Sequence, residues 1–187
     1  MASDTRERLV RSTSRLLRTQ GYAATGLNQV MAEADAPRGS MYFHFPGGKV
    51  ELAAAAVDRF ALRATERMTE MLAEHDTVAD AVAEIFDNYV VHLERTAYAE
   101  GCAVASVALD AASTHPTLAD ATGRALREWT DVLAAALEAE GRDPAEAHAL
   151  ATVVIAGIEG TVVMARGEQS TEPIATTRDV LRTLLAR

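Results

Sequence analysis

A three-residue break near the start of the chain constrains its folding more than any other feature. Leu27, Val30, Met31 and Ala34 recur at i, i+3, i+4 and i+7, the one-sided spacing of a short amphipathic helix. Thr25 stands where an N-cap is expected. Asp35, Ala36 and Pro37 then end the pattern, because proline disfavours the helical region for the residue before it and is itself at home in a first helical turn. A second short helix is expected from about Pro37 to His44. Two short helices across such a break form a helix-turn-helix, here over about residues 27–46.

The second helix of such a motif can lie in a DNA major groove with its first residues toward base edges. Arg38 is then the foremost candidate for base readout, since a guanidinium grips guanine O6 and N7 with two bonds. Gly39 has no side chain to hold the helix away from DNA, and Ser40 offers a hydroxyl to base or phosphate. Tyr42 and His44 can donate to phosphates, while Phe43 is placed to touch a thymine methyl. Met41 and Phe45, at i and i+4, are expected to face inward. Lys49 and the amides near Gly48 open the next helix, an anion-binding position, and Thr25 plays the matching part at the earlier helix.

The run Gly21-Tyr22-Ala23-Ala24-Thr25, then R-G-S-M-Y-F-H-F from Arg38 and a lysine at Lys49, resembles the DNA-binding domain of the TetR family of transcriptional regulators. The ending Phe45-Pro46-Gly47-Gly48-Lys49 is similar to the branch containing the LmrA and YxaF regulators. The resemblance covers the first quarter of the chain. It implies a DNA-binding domain over residues 1–49 and a ligand-binding and dimerisation domain over 50–187. It also implies that the residues matching Thr25, Arg38, Gly39, Tyr42, His44 and Lys49 contact operator DNA. The function it implies is that of a cytoplasmic, ligand-responsive repressor, a homodimer whose affinity for a palindromic operator falls when a small-molecule effector binds. The turn departs from the family pattern. Asp35 stands where glycine is frequent, though aspartate tolerates the left-handed conformation better than most residues. Pro37 stands where serine often caps the second helix, and in a first turn it costs no intrahelical bond.

A net charge of −9 argues superficially against a nucleic-acid partner, but its distribution does not. Residues 1–49 carry seven basic and four acidic side chains, a net +3, against eleven and twenty-three in the remainder, a net −12. A basic reading head on an acidic body shows this asymmetry. Arg8, Arg11, Arg15 and Arg18 form a basic stripe on the first helix, either near phosphates or simply solvated. The lone Cys102 excludes an internal disulfide and fits a reducing compartment. No apolar run precedes the charged first helix, so no signal peptide is expected. Leu150–Met164 falls short of a membrane span and is interrupted by Glu159, which favours a buried helix.

No segment alternates with period two for long, so the fold is all-α, with about nine helices. The first is expected from Asp4, opening on an Asp4-x-x-Glu7 capping box, to Gln20, with Gly21 as its stop. The fourth runs from Gly48-Lys49 to about Ala73, and the fifth from a Thr77 cap to about Tyr98. The Gly141-Arg142-Asp143-Pro144 punctuation precedes an eighth helix that is apolar on nearly every face. Its Ala156, Gly157, Gly160 and Met164, with Leu181 and Leu184 of the last helix, are the candidates for a dimer interface.

Phe60, Met68, Phe86, Tyr89 and His92 combine with Tyr98, Cys102, Ser106, Trp129, Ile155 and Glu159 in a mixture of apolar bulk and isolated polar groups. That mixture suits an effector pocket and also an ordinary core. His92 and Glu159 stand out, because a polar group on an apolar helix needs a partner. No metal, cofactor or catalytic constellation is evident: the histidines lack ligand spacing, and no nucleophile elbow flanks Ser106 near Asp110 and His115. Two alternatives remain, a small-molecule-binding or hydrolytic enzyme whose N-terminal helices only pack, and a nonspecific structural DNA-binding protein.

Overall fold

The computed structural model describes residues 2–37 and 39–186. Among them are nine helices in this order: α1 (Ala2–Ala24), α2 (Leu27–Glu33), α3 (Ser40–His44), α4 (Gly48–Glu74), α5 (Val78–Arg95), α6 (Ala103–Ala111), α7 (Pro116–Ala139), α8 (Pro144–Glu168) and α9 (Glu172–Leu185). They form two compact units. The first comprises the chain up to Leu62 together with Cys102–Ala125, and the second comprises Arg63–Gly101 together with the chain from Leu126 onward. Helices α4 and α7 each contribute residues to both.

In the first unit α1 packs on α2, α3 and α6. Leu9, Val10, Leu16 and Leu17 are buried as the i, i+7 pairing requires. The helix opens before Asp4, so the expected capping box is not its start. Asp4 instead pairs with Arg8 at 3.4 Å, and Glu7 accepts from Arg59 at 2.7 Å. Gly21 breaks the helix with φ 75 and ψ 179, a backbone region that essentially only glycine occupies.

In the second unit α9 packs along both α5 and α8, and α5 touches α8. Thr77 caps α5 by accepting from the Asp80 amide at 3.1 Å, as its position in the sequence suggests, but α5 ends at Arg95, short of Tyr98. The ending is a turn in which Ala97 and Tyr98 take φ 47 and 59. The Arg166 guanidinium of α8 secures this turn by donating to the carbonyls of Tyr98 (3.2 Å) and Ala99 (3.1 Å). Asp143 caps α8, accepting from Ala145 at 2.9 Å, after Gly141 turns the chain at φ 96. Gly157 sits where α8 meets α9 and α5: a Cβ there would lie 3.2 Å from Leu181 and 3.3 Å from Thr177. Arg182 grips Asp80 of α5 with two bonds at 2.8 and 3.1 Å, and Arg142 donates to the Leu185 carbonyl at 2.8 Å.

Helix α8 is only partly covered by its own chain. It is long and apolar enough by length and composition to cross a membrane, yet less than half of its most apolar window is buried in the unit. The buried side carries Ala147, Ala151, Val154, Ile155, Ile158, Val162 and Ala165, whereas Val153, Val163 and Met164 are exposed. Only one side meets α5 and α9, which leaves the opposite side of a largely apolar helix open. Val180 and Leu184 of α9 are exposed as well, rather than inward with Leu181 and Leu185.

The Thr77 hydroxyl, and after it the Arg182 guanidinium, hold the Asp80 carboxyl below the usual carboxylate range. A carboxyl depressed in the folded state contributes stability above its unfolded value, about 3.9, and that contribution disappears as pH falls through the folded value. Asp80→Asn is therefore expected to lower the urea midpoint at pH 7 and to flatten the loss of stability at pH values below about 4. Parallel pH curves for parent and variant would show that Asp80 has no such role.

Candidate nucleic-acid interface

Helix α2 is capped at its start by the extended backbone of Gly26, with no side-chain bond. Thr25 is not its cap. The Thr25 hydroxyl donates back to the Gly21 carbonyl at 2.6 Å, and the side chain is buried. At the other end Ala36 N–H reaches the Met31 carbonyl (3.0 Å) and Asp35 N–H reaches Ala32 (3.3 Å), the paired bonds of a Schellman ending. Asp35 occupies the left-handed position with φ 46, as its tolerance for that conformation suggests. Arg8 supports this turn by donating to the Asp35 carbonyl at 3.0 Å.

Helix α3 begins at Ser40, later than expected. The Pro37 carbonyl accepts both the Ser40 amide (2.9 Å) and its hydroxyl (2.6 Å), so Pro37 lies in a turn that precedes the helix. The helix has an inner and an outer side. Met41 and Phe45 are each 0% exposed, and the Arg6 guanidinium lies 5.0 Å over the Phe45 ring. Tyr42 and Phe43 project at 63% and 77% exposure, with His44 half-buried and edge-on to Phe43 at 5.0 Å. A Cβ at Gly39 would meet nothing within 4 Å. Arg38 lies outside the described residues.

At the start of α4 two of the amides are engaged within the chain. Gly47 N–H donates to the Glu51 carboxylate at 2.7 Å and Gly48 N–H to the Phe45 carbonyl at 2.9 Å. Lys49 folds back: its ammonium lies 4.2 Å over the Tyr22 ring and 3.4 Å from the Ala23 carbonyl. Desolvation pulls the Lys49 pKa down and pushes the Tyr22 pKa up.

The basic stripe of α1 is divided between partners. Arg15 makes a two-pronged ion pair with Glu33 of α2, Arg18 lies 5.5 Å over Phe60, and Arg11 is exposed. Arg8, Arg11, Ser12 and Arg15 line a cleft with Glu33 and Ala34. Sequence reasoning missed Asp110 of α6, whose carboxylate accepts from Tyr22 N–H at 2.9 Å across a separation of 88 residues. No local signal marks such a pair. His115 lies edge-on to Tyr22 at 5.3 Å and its Nδ1 meets the Thr114 hydroxyl at 2.9 Å.

The effector candidates divide between the units. Phe60, Cys102 and Ser106 belong to the first, and the other eight to the second. Met68, Phe86, Trp129 and Ile155 are buried there, and Tyr89, His92, Tyr98 and Glu159 are half-buried. His92 pairs with Glu100 at 3.4 Å. Of the interface candidates, Ala156, Gly160, Met164 and Leu184 are exposed, while Gly157 and Leu181 face each other inside the unit. Among the described residues no group of three or more His, Cys, Asp or Glu is placed to hold a metal ion.

Residues 9–56 match the family model described as bacterial regulatory proteins of the tetR family. Residues 78–180 match that of the C-terminal domain of LmrA/YxaF-like transcriptional regulators. The HTH-type transcriptional regulator LmrA of Bacillus subtilis (strain 168) is 30% identical over 184 residues, covering 98% of each chain. YxaF of the same organism is 30% identical over 171 residues, or 91% of this chain and 90% of its own. Among solved structures, a TetR transcriptional regulator from Chloroflexus aurantiacus superposes with a TM-score of 0.84 at 29% identity, covering 100% of this chain and 96% of that one. Reduced Escherichia coli NemR shares the fold at TM-score 0.83 and 20% identity, with 97% of each chain covered.

The inner and outer sides of α3 differ in what truncation should do. Phe45→Ala is expected to cost about 3–5 kcal/mol of stability, as for a fully buried aromatic. Phe43→Ala should change it by no more than about 0.5 kcal/mol. Urea unfolding measures both, and equal losses would mean that α3 has no such two-sidedness.

Proposed function

The chain belongs to the TetR family of bacterial transcriptional regulators, and on that premise we propose that it is a homodimeric, ligand-responsive repressor of a palindromic operator. The observation that carries the DNA-reading assignment is α3 itself: Met41 and Phe45 anchor it from within, leaving Gly39, Tyr42 and Phe43 outward at the position that enters a major groove. Arg38 reads base edges, and Ser40, Tyr42, His44 and Lys49 hold phosphates. Residues 1–49 form the reading head and residues 50–187 the effector-binding and dimerisation body, in the cytoplasm and without a catalytic role.

The exposed stripe of Val153, Ala156, Gly160, Val163 and Met164 on α8, with Val180 and Leu184 on α9, supports a two-fold interface through those helices. Two heads about 34–36 Å apart then meet successive turns of one groove face. An effector held among the candidates of the second unit shifts α4 and lowers operator affinity by about 5- to 150-fold, the range of a coupling of about 1–3 kcal/mol. Constant operator affinity across effector saturation would overturn this mechanism.

In a gel shift against DNA upstream of its own gene, Arg38→Ala is expected to weaken binding by about 1–3 kcal/mol, and Tyr42→Ala to weaken it as well. Undiminished binding by both variants would remove α3 as the reading helix. A steep salt dependence with no preference for that DNA over random sequence would favour nonspecific structural binding.

The interface has its own test. Gly160 is exposed and a Cβ there meets nothing within 4 Å, so Gly160→Leu is expected to keep the parental helical content. Sedimentation should show more monomer, and a dimer of parental strength would place the interface elsewhere.

A further inference from the structure

The loop between the body of α1 and α2 is held from two opposite directions. From α6, Asp110 Oδ2 accepts from Tyr22 N–H at 2.9 Å and lies 3.5 Å from Ala23 N–H. The backbone wraps this oxygen so closely that a Cβ on Gly21 would stand 2.2 Å from it. Glycine is thus required at that position twice over, by its φ of 75 and by the carboxylate in the space a side chain would fill. From the other direction the same three residues hold Thr25, which is buried, and Lys49, which is assigned to phosphate contact. Gly21 O accepts from the Thr25 hydroxyl at 2.6 Å, and Ala23 O lies 3.4 Å from the Lys49 ammonium. That ammonium also rests 4.2 Å over the Tyr22 ring.

A carboxylate on the backbone against which Lys49 rests is electrostatically adverse to binding a polyanion. Its presence there calls for another account, and its hydrogen bonds supply one. A charged acceptor shared by two successive amides fixes the backbone more firmly than a neutral one. That backbone in turn supplies the carbonyls and the ring on which Thr25 and Lys49 rest. We propose that Asp110 is a positioning residue for operator binding, which through the Gly21–Ala23 backbone sets Lys49 for the DNA phosphates. The proposal rests on the operator-binding reading given above and deepens it: α6, more than fifty residues beyond the helix-turn-helix, is a working part of the reading head.

The test is operator titration across a salt series for the full-length protein and for Asp110→Ala, Asp110→Asn, Lys49→Gln and Tyr42→Ala. Helical content and dimer content are matched by circular dichroism and sedimentation. Removing an acidic charge should by charge alone tighten DNA binding; Asp110→Ala is instead expected to weaken it about 5- to 30-fold. It should also lower the slope of log affinity against log salt by up to about 0.9, the share of one lost phosphate contact. Asp110→Asn keeps an oxygen for the Tyr22 amide and should bind within about 3-fold of the parent. Lys49→Gln should cost less in the Asp110→Ala background than in the parent, because the two act on one contact. Asp110→Ser, too short to reach the amide, carries the expectation of the alanine variant if that one fails to fold. Parental or tighter binding by Asp110→Ala with an unchanged salt slope, while Tyr42→Ala is weakened, overturns the positioning role alone. Parental binding by Tyr42→Ala and Lys49→Gln together overturns the operator reading and this proposal with it.

Discussion

A helix of five residues has no stability of its own, since nucleating a helix fixes several residues for a single backbone bond. Everything that α3 can present to a partner therefore depends on the burial of Met41 and Phe45. Those two side chains hold it against the first unit, and the α1–α3 packing is the tertiary contact on which the outward position of Tyr42 and Phe43 rests. Fully burying side chains of this size is worth about 1.5–3 kcal/mol each, enough to order a single turn.

The polar groups of the head then act on position more than on stability. Arg8 steadies the Asp35 turn, Arg15 ties α1 to Glu33 of α2, and Asp110 ties α6 to Tyr22. An exposed ion pair such as Arg15–Glu33 contributes at most about 1 kcal/mol. The use of these groups lies in geometry, since each ties a turn or short element of the first unit to another helix. The cost is charge: arginines paired with Asp35 and Glu33 add less to the positive field of the head than their number suggests.

In the second unit a largely apolar α8 is covered on one side by α5 and α9 and left open on the other. An exposed stripe of valine, alanine, glycine and methionine is the physical reason to expect a second copy of the chain. Gly157 and Gly160 look alike in the sequence, but only Gly157 is filled by its own subunit, at Leu181 and Thr177.

Local pattern determined what local physics controls. The i, i+4 placing of Met41 and Phe45, the left-handed Asp35, the Thr77 cap, the Gly21 stop and the Gly141–Pro144 punctuation were all legible, because each depends on residues within one helical turn. The Asp4-x-x-Glu7 box was misread because Glu7 found the distant Arg59, and the Thr25 cap because its hydroxyl turned back to the Gly21 carbonyl within the same broken turn. Which face of α8 stays open, why Gly21 admits no side chain and where Asp110 binds were decided by the tertiary structure alone. Those contacts join residues tens of positions apart, and no periodicity in a sequence records which distant carboxylate will meet a given amide.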